Sequence, residues 1–320
     1  MPVVLIVGSL HYDIMVEADH LPRREKTAIG TRWCPKFGGK GGNQAVVAAR
    51  AGAVSRMAGA IGDDGFGDHV RAHLRKGGVQ DHVVVTLPGV ASGLSVAIQD
   101  ARGDYVATIV SGANGLILPD AVVQTDLWQD VGLLILQNEV PEAINIAAAH
   151  GARSRGIPTL LNAAPWRPLS TELRGLIDIL VVNAVNAAMM GTGPVTSLAT
   201  ASDAARHLSA HFKTVIVTAG ASGLAACGMY ETLFVLPAEP VQVGSSHGAG
   251  DSFIRTLAVR LVEGDTLPTA CNLASAAAAR HVAGQWGCCG RGVVCHSVRI
   301  IGDACTDHSR NGAARTSHAA

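Results

Sequence analysis

The sequence predicts an α/β fold, a three-layer α/β/α sandwich with a mainly parallel central sheet and a small β-strand lid. Three observations carry that expectation. Short apolar runs alternate with helical patterns along most of the chain, the sequence form of a parallel sheet covered by helices on both faces. Small residues dominate, with 37 glycines and long alanine runs, as tight helix-on-sheet packing requires. Two segments, residues 11–37 and about 90–110, interrupt the alternation with more polar, period-two text.

The elements follow in order. Residues 3–7, 54–60, 132–136, 159–161, 179–182 and 214–218 read as buried strands, being apolar runs too short for helices. Helical patterns cover 43–51, 67–76, 141–155 and 202–210. A sheet of this kind binds its ligands at the carboxyl ends of its strands. Segment 90–110 reads as a hairpin turning at Arg102, Gly103 and Asp104, and both interrupting segments read as antiparallel strands outside the main sheet. The opening "MPVVLIVGSL" has no basic region and reads as a strand rather than a signal peptide. No apolar run reaches the roughly 18 residues that cross a bilayer. Periodicity fades after residue 283, so the chain divides into a domain over 1–283 and a divergent segment over 284–320, whose polar end is expected to be disordered.

Composition excludes several functions. Lys+Arg equals Asp+Glu at 25 each, so no net field favours nucleic acid or an acidic membrane. Aromatics are 4%, too few for base-stacking platforms. The seven cysteines show no zinc-ribbon or redox-pair spacing, and free thiols of this kind suit a reducing cytoplasm.

Two stretches carry chemistry. "KFGGKGGNQAVVAAR" sets four glycines around Lys40, which lets the backbone approach something closely, and then starts a helix at Asn43. "SSHGAGDSFIRTLAVRLVEG" offers a compact turn at Gly248, Ala249 and Gly250, with Asp251 opening a helix that runs to about residue 262. A helix start has unpaired N–H groups and a positive dipole end, so it attracts anions, although a carboxylate there can equally be an ordinary N-cap. Phosphoryl transfer would use such a site: the turn would hold the charge of the transferring group, and Asp251 would act as general base on a hydroxyl. Neither GxxxxGK[ST] nor GxGxxG occurs, which counts against a phosphate-loop or dinucleotide enzyme.

The pair "FGGKGGNQAVVAAR" and "HGAGDSF" resembles the two signature motifs of the ribokinase-like, or phosphofructokinase B, carbohydrate kinases, and the first is closest to the ribokinase branch. The likeness runs from Val3 to about Ala283. It implies the ribokinase-like fold, ATP and Mg2+ as cofactors, a small-molecule sugar as substrate, and a homodimer formed through the lid. It implies sugar contacts from Asp13 and His11 in "GSLHYD", from Gly39, Lys40 and Asn43 in the glycine turn, and from Glu139 in "LQNEVP". The glycines are then expected to admit the sugar itself. Asp251 would be the catalytic base, with Gly248, Ala249 and Gly250 as the anion hole. Asn183, Thr218, Gly220, Gly223, Gly250 and Ser275 would face the nucleotide. A monovalent-cation site involving Ser245 and His247 is also implied, but Ser245 stands where the family carries an aspartate, and a neutral hydroxyl is a weaker cation ligand. Asn186 likewise stands where the family carries a glutamate that organises magnesium and phosphates, and His11 where it usually carries an asparagine.

Phosphorylation of D-ribose at its 5-hydroxyl is the expectation. The alternatives are a kinase for another sugar or a nucleoside, and a catalytically impaired sugar- or nucleotide-binding homologue.

Overall fold

The computed structural model describes residues 3–102, 104–228, 233–242 and 248–284. The chain opens with β1 (Val3–Val7), β2 (His11–Ala18), β3 (Gly30–Gly38), α1 (Lys40–Arg50), β4 (Val54–Gly62), α2 (Gly65–Lys76) and β5 (Gln80–Leu87). It continues with β6 (Gly93–Gln99), β7 (Tyr105–Val110), β8 (Val131–Gln137), α3 (Glu142–Arg153), β9 (Thr159–Asn162), α4 (Thr171–Leu176) and β10 (Ile179–Asn183). The last described elements are α5 (Ala184–Ala187), α6 (Leu198–Ser209), β11 (Thr214–Thr218), β12 (Leu224–Gly228), β13 (Phe234–Leu236), α7 (Ala249–Val262) and α8 (Leu267–Val282).

Among these residues the main sheet has nine strands in the order β13-β12-β11-β10-β9-β8-β1-β4-β5. All pair in parallel except β12 and β13, which complete one edge antiparallel. Alternate side chains feed two cores. Val3, Leu5 and Val7 of β1 join Leu134, Leu136 and Val182 beneath α3 and α6, while Val4 and Ile6 join Leu133, Ile135 and Val181 beneath α1, α2, α7 and α8. A strand buried on both faces must be apolar at every position, which is why these strands read as unbroken runs. From β1 the chain builds outward through β4 and β5, then crosses to β8 and builds the other way. The order therefore reverses between β1 and β8, the place where sheets of this type open a ligand crevice.

The lid is a separate four-stranded sheet in the order β3-β2-β6-β7. Each hairpin, β2/β3 and β6/β7, is antiparallel as expected, but the two are joined by a parallel pairing of β2 with β6. The reason is that β2 and β6 leave the body side by side, with His11 opposite Gly93, and so run in the same direction. At the β6/β7 turn the Asp100 carboxylate accepts from the backbone N–H groups of Arg102 (2.9 Å) and Asp104 (3.0 Å), while Gly103 lies outside the described residues. The lid's roots are fastened to the body. Buried Asn114 donates to the Leu10 carbonyl and accepts from its N–H, both at 2.8 Å. Tyr12 stacks on Phe66 and Phe37 on His73, each pair with ring centres 4.3 Å apart.

The expected segment 284–320 lies outside the described residues from 285 onward. No described helix is long and apolar enough to cross a membrane.

Candidate active site

The carboxyl end of β1 meets the start of α1. The Ser9 hydroxyl donates to Glu139 Oε2, and the same oxygen accepts the Lys40 N–H at 2.9 Å. The Lys40 ammonium stands 3.9 Å from Glu139 Oε1, and the Gly42 N–H donates to the Ser9 carbonyl at 2.9 Å. Glu139 thus sits at the positive end of α1, on the loop that leaves β8.

This packing gives the glycines a local reason. A Cβ at Gly39 would lie 2.7 Å from the Ser9 carbonyl oxygen, and one at Gly41 would lie 2.7 Å from the Ser9 nitrogen. One at Gly42 would strike the Phe37 ring at 2.6 Å. The glycine run admits the neighbouring turn of its own chain. It also moves the helix start. With Gly39 at φ 82 as the cap, α1 begins at Lys40 rather than Asn43, and Asn43 lies at the end of its first turn, half-buried.

Asp13 and His11 enter from β2. The Asp13 carboxylate lies over Gly38, where a Cβ would fall 2.0 Å from Oδ2. Asp13 Oδ1 and His11 Nε2 are both buried without a hydrogen-bond partner. Burial, followed by the charge of Glu139, raises the Asp13 carboxyl to about 6, against offsetting help from Ser95, Lys36 and Lys40. Burial also lowers the His11 imidazole, with Lys40 adding to the effect and Glu139 opposing it. Each unpaired buried polar group costs about 1–3 kcal/mol, so this end of the site is arranged to gain by accepting a polar ligand.

Asp251 comes from the far side. Gly248, left-handed at φ 79, caps α7, and Ala249 and Gly250 already belong to the helix, so the expected compact turn shrinks to Gly248. Asp251 is the third helical residue and not the N-cap, which removes the simple capping role. The cap residue Gly248 offers no side chain to this helix start, and among the described residues nothing lies within 4 Å of a Cβ position at Gly250. The first-turn N–H groups therefore have no partner within the helix, the condition for holding an anion. Asp251 Oδ1 accepts from Gln44 Nε2 at 3.3 Å, so the two motif helices meet near their starts.

The remaining residues expected to face the nucleotide lie along the next strands. Asn183 ends β10 and Thr218 ends β11, with Gly220 and Gly223 in the turn that follows. Asn183 caps α5 by accepting from the Asn186 N–H at 2.7 Å. Asn186 is buried and donates to the Ala163 carbonyl at 3.0 Å, holding the loop after β9 in the manner of a strut. Ser275 lies half-buried in α8, which packs against α7. Ser245 and His247 lie outside the described residues. Among the described residues no three His, Cys, Asp or Glu side chains converge on a metal position. Sequence reasoning missed Ser9, Gln44, Gln137 and Asn114. Their one signal was polarity inside otherwise apolar text.

Residues 1–285 match the model of the pfkB family of carbohydrate kinases. A ribokinase of Bacillus subtilis is 32% identical over 87% of this chain and 92% of its own length. A deoxyribokinase of Salmonella typhi is 29% identical, covering 88% of this chain and 93% of its own. The structure of Arabidopsis thaliana ribokinase complexed with ribose and ATP superposes with a TM-score of 0.80 at 30% identity, over 88% of this chain and 92% of that one.

Proposed function

The chain belongs to the pfkB family of carbohydrate kinases, and within it we propose that this protein transfers the γ-phosphoryl group of ATP to a primary sugar hydroxyl, with D-ribose as acceptor and ribose 5-phosphate as product. The observation that carries this reading is the meeting of Asp251 with the helix that starts at the glycine turn, through Gln44.

Asp13, His11, Asn43 and the Lys40–Glu139 pair would hold the sugar hydroxyls, which can both donate and accept. The unpartnered Asp13 Oδ1 and His11 Nε2 supply an acceptor and a further polar contact there. Asp251 would take the proton of the acceptor hydroxyl as its oxygen bonds to the γ-phosphorus. The bond from that phosphorus to the β,γ-bridging oxygen breaks, and ADP leaves. The N–H groups of Ala249 and Gly250, with the turn at Gly248, would hold the charge spread over the transferring oxygens. Backbone at Gly39 would border the sugar. Asn183, Thr218, Gly220, Gly223 and Ser275 would line the nucleotide side.

Magnesium would arrive as part of the substrate, Mg-ATP. The described residues present no resident carboxylate cluster for it, and Asn186 turns its neutral amide toward a backbone carbonyl. Activation by K+ would depend on the segment containing Ser245 and His247. A cytoplasmic setting fits a sequence whose seven cysteines show no zinc-ribbon or redox-pair spacing. A homodimer through the lid is supported by its uncovered apolar surface, where Ile29 is 84% and Trp33 63% exposed.

A second acceptor is favoured by one observation: His11 replaces an amide with an imidazole that burial keeps neutral, so the hydroxyl pattern read at this corner differs. The deoxyribokinase likeness makes 2-deoxyribose the first competitor, ahead of other sugars, nucleosides and a merely binding homologue. The test is phosphate transfer from Mg-ATP to a panel of pentoses, hexoses and nucleosides, with and without potassium. D-ribose should give the highest kcat/KM. Transfer to no member of the panel, alongside sugar-dependent thermal stabilisation, would replace the kinase reading with a binding one. Asp251→Asn should cut turnover by about 10²–10⁴-fold while leaving sugar affinity within a few-fold.

A further inference from the structure

The Gln44 amide that touches Asp251 is one member of a longer arrangement. Its Nε2 donates to Asp251 Oδ1 at 3.3 Å, and its Oε1 accepts from Gln137 Nε2 at 2.8 Å. Both glutamines have no exposed surface. Their orientations are forced: a carboxylate only accepts, so the Gln44 NH2 must face Asp251, and its carbonyl must then face the NH2 of Gln137. Gln137 Oε1 has no hydrogen-bond partner and lies where a Cβ at Gly8 would be, 1.8 Å from that position. The Gln137 backbone carbonyl is held in turn by Asn145 Nδ2 at 2.8 Å.

We propose that Gln44 and Gln137 form a buried amide relay that positions Asp251 against the acceptor hydroxyl, with Gly8 leaving the space the relay needs. This rests on the kinase reading and adds two positioning residues to it. Neither glutamine is assigned to substrate. The relay joins three elements: α7, which carries Asp251, α1, and β8. Lys40 and Gln44 are four residues apart and share one face of α1. Lys40 binds Glu139 at the front of that face, and Gln137 lies two residues before Glu139 on β8. The Lys40–Glu139 and Gln44–Gln137 hydrogen bonds therefore pin α1 to the end of β8 at two points, and Asp251 is joined to that pair through the Gln44 amide. Reacting groups need placement to a fraction of an ångström, and a misplacement of about 1 Å can cost roughly a hundredfold in rate.

The test separates the relay from the reaction it serves. In the full chain, Gln44→Met keeps the shape of the side chain and removes both hydrogen bonds. It should lower kcat for D-ribose by about tenfold to a hundredfold with sugar KM changed less than threefold. Because a donor to the carboxylate is lost, the acid limb of the kcat profile should move to higher pH. Gln137→Leu, which leaves Gln44 in place but unanchored, should lower kcat in the same sense and to a smaller extent. An unchanged kcat in Gln44→Met, or a KM that rises as kcat stays constant, would overturn the proposal.

A readout independent of turnover uses the side-chain amide signals of isotopically labelled protein. Asp251→Ala should shift the Gln44 NH2 resonances and, through them, those of Gln137. Movement at Gln44 with none at Gln137 would break the relay even if the kinase is active. Should the wild-type protein phosphorylate no acceptor, the coupled shifts would still establish the relay, and the failure would belong to the kinase reading alone.

Discussion

Asp13 carries its negative charge against resistance. Its carboxyl is held at about 6, against an ordinary 3.8, by burial first and by Glu139 second. A raised carboxyl binds its proton more tightly when folded, so the free protein loses stability as pH rises from 3.8 to about 6. Asp13→Asn should then stabilise the unliganded protein above pH 6 by roughly 2–3 kcal/mol, somewhat less after solvent screening, while sugar binding falls sharply. In the wild type, KM for sugar should rise as pH falls through about 6, because a protonated Asp13 accepts fewer hydrogen bonds. Urea titrations and initial rates across pH 5 to 8 check both effects. Gly39→Ala places a Cβ against the Ser9 carbonyl at positive φ and should cost roughly 2 kcal/mol or more, read by the same titrations. Asp251 stood out in the sequence because glycines frame the start of its helix, whereas Asp13 and Glu139 stood out only through the resemblance to the carbohydrate kinases. Gln44 and Gln137 did not stand out, since the partners that give them meaning are 93 and 207 residues away from Gln44.

Among the elements, the lid depends on its roots. The Tyr12–Phe66 and Phe37–His73 stacks and the Asn114 clasp fix β2 and β3 to the body beside His11 and Asp13. Stacked pairs contribute about 0.5–1.5 kcal/mol beyond their burial, so Phe66→Leu should cost little global stability. It should nevertheless raise sugar KM several-fold by loosening the strand that carries His11 and Asp13, and hydrogen exchange in β2 should quicken first. Trp33→Asp on β3 should convert a sedimenting dimer to monomer, if the exposed lid face is where two copies meet. The main-sheet strands were legible as unbroken apolar runs, and the hairpins as period-two text. The parallel joining of β2 to β6 was not, because register across two excursions is set by where they leave the body. The early start of α1 was hidden for another reason: Gly41 and Gly42 are poor helix formers, kept as glycine by the close approach of Ser9 and Phe37.

For the molecule as a whole, two cores share one sheet, and the site lies where strand order reverses between β1 and β8. Ile135 is fully buried beside that reversal, and Ile135→Ala should cost about 2–5 kcal/mol, visible as a lowered midpoint in denaturant without a changed slope. Ligands should act in the opposite sense, with ribose at a hundred times its Kd adding about 2.7 kcal/mol to the same midpoint. The two lid hairpins have a consequence for rebuilding this protein. The first departs at His11 and returns at its register partner Gly38, and the second departs at Gly93 and returns beside it at Val110. Each excursion closes on itself without entering the main sheet, so four cuts would release the whole cover as an exchangeable cassette. A cassette from a relative with a different sugar preference, spliced at those four points, would bring its own β2 strand to a main sheet and an Asp251 helix left unaltered.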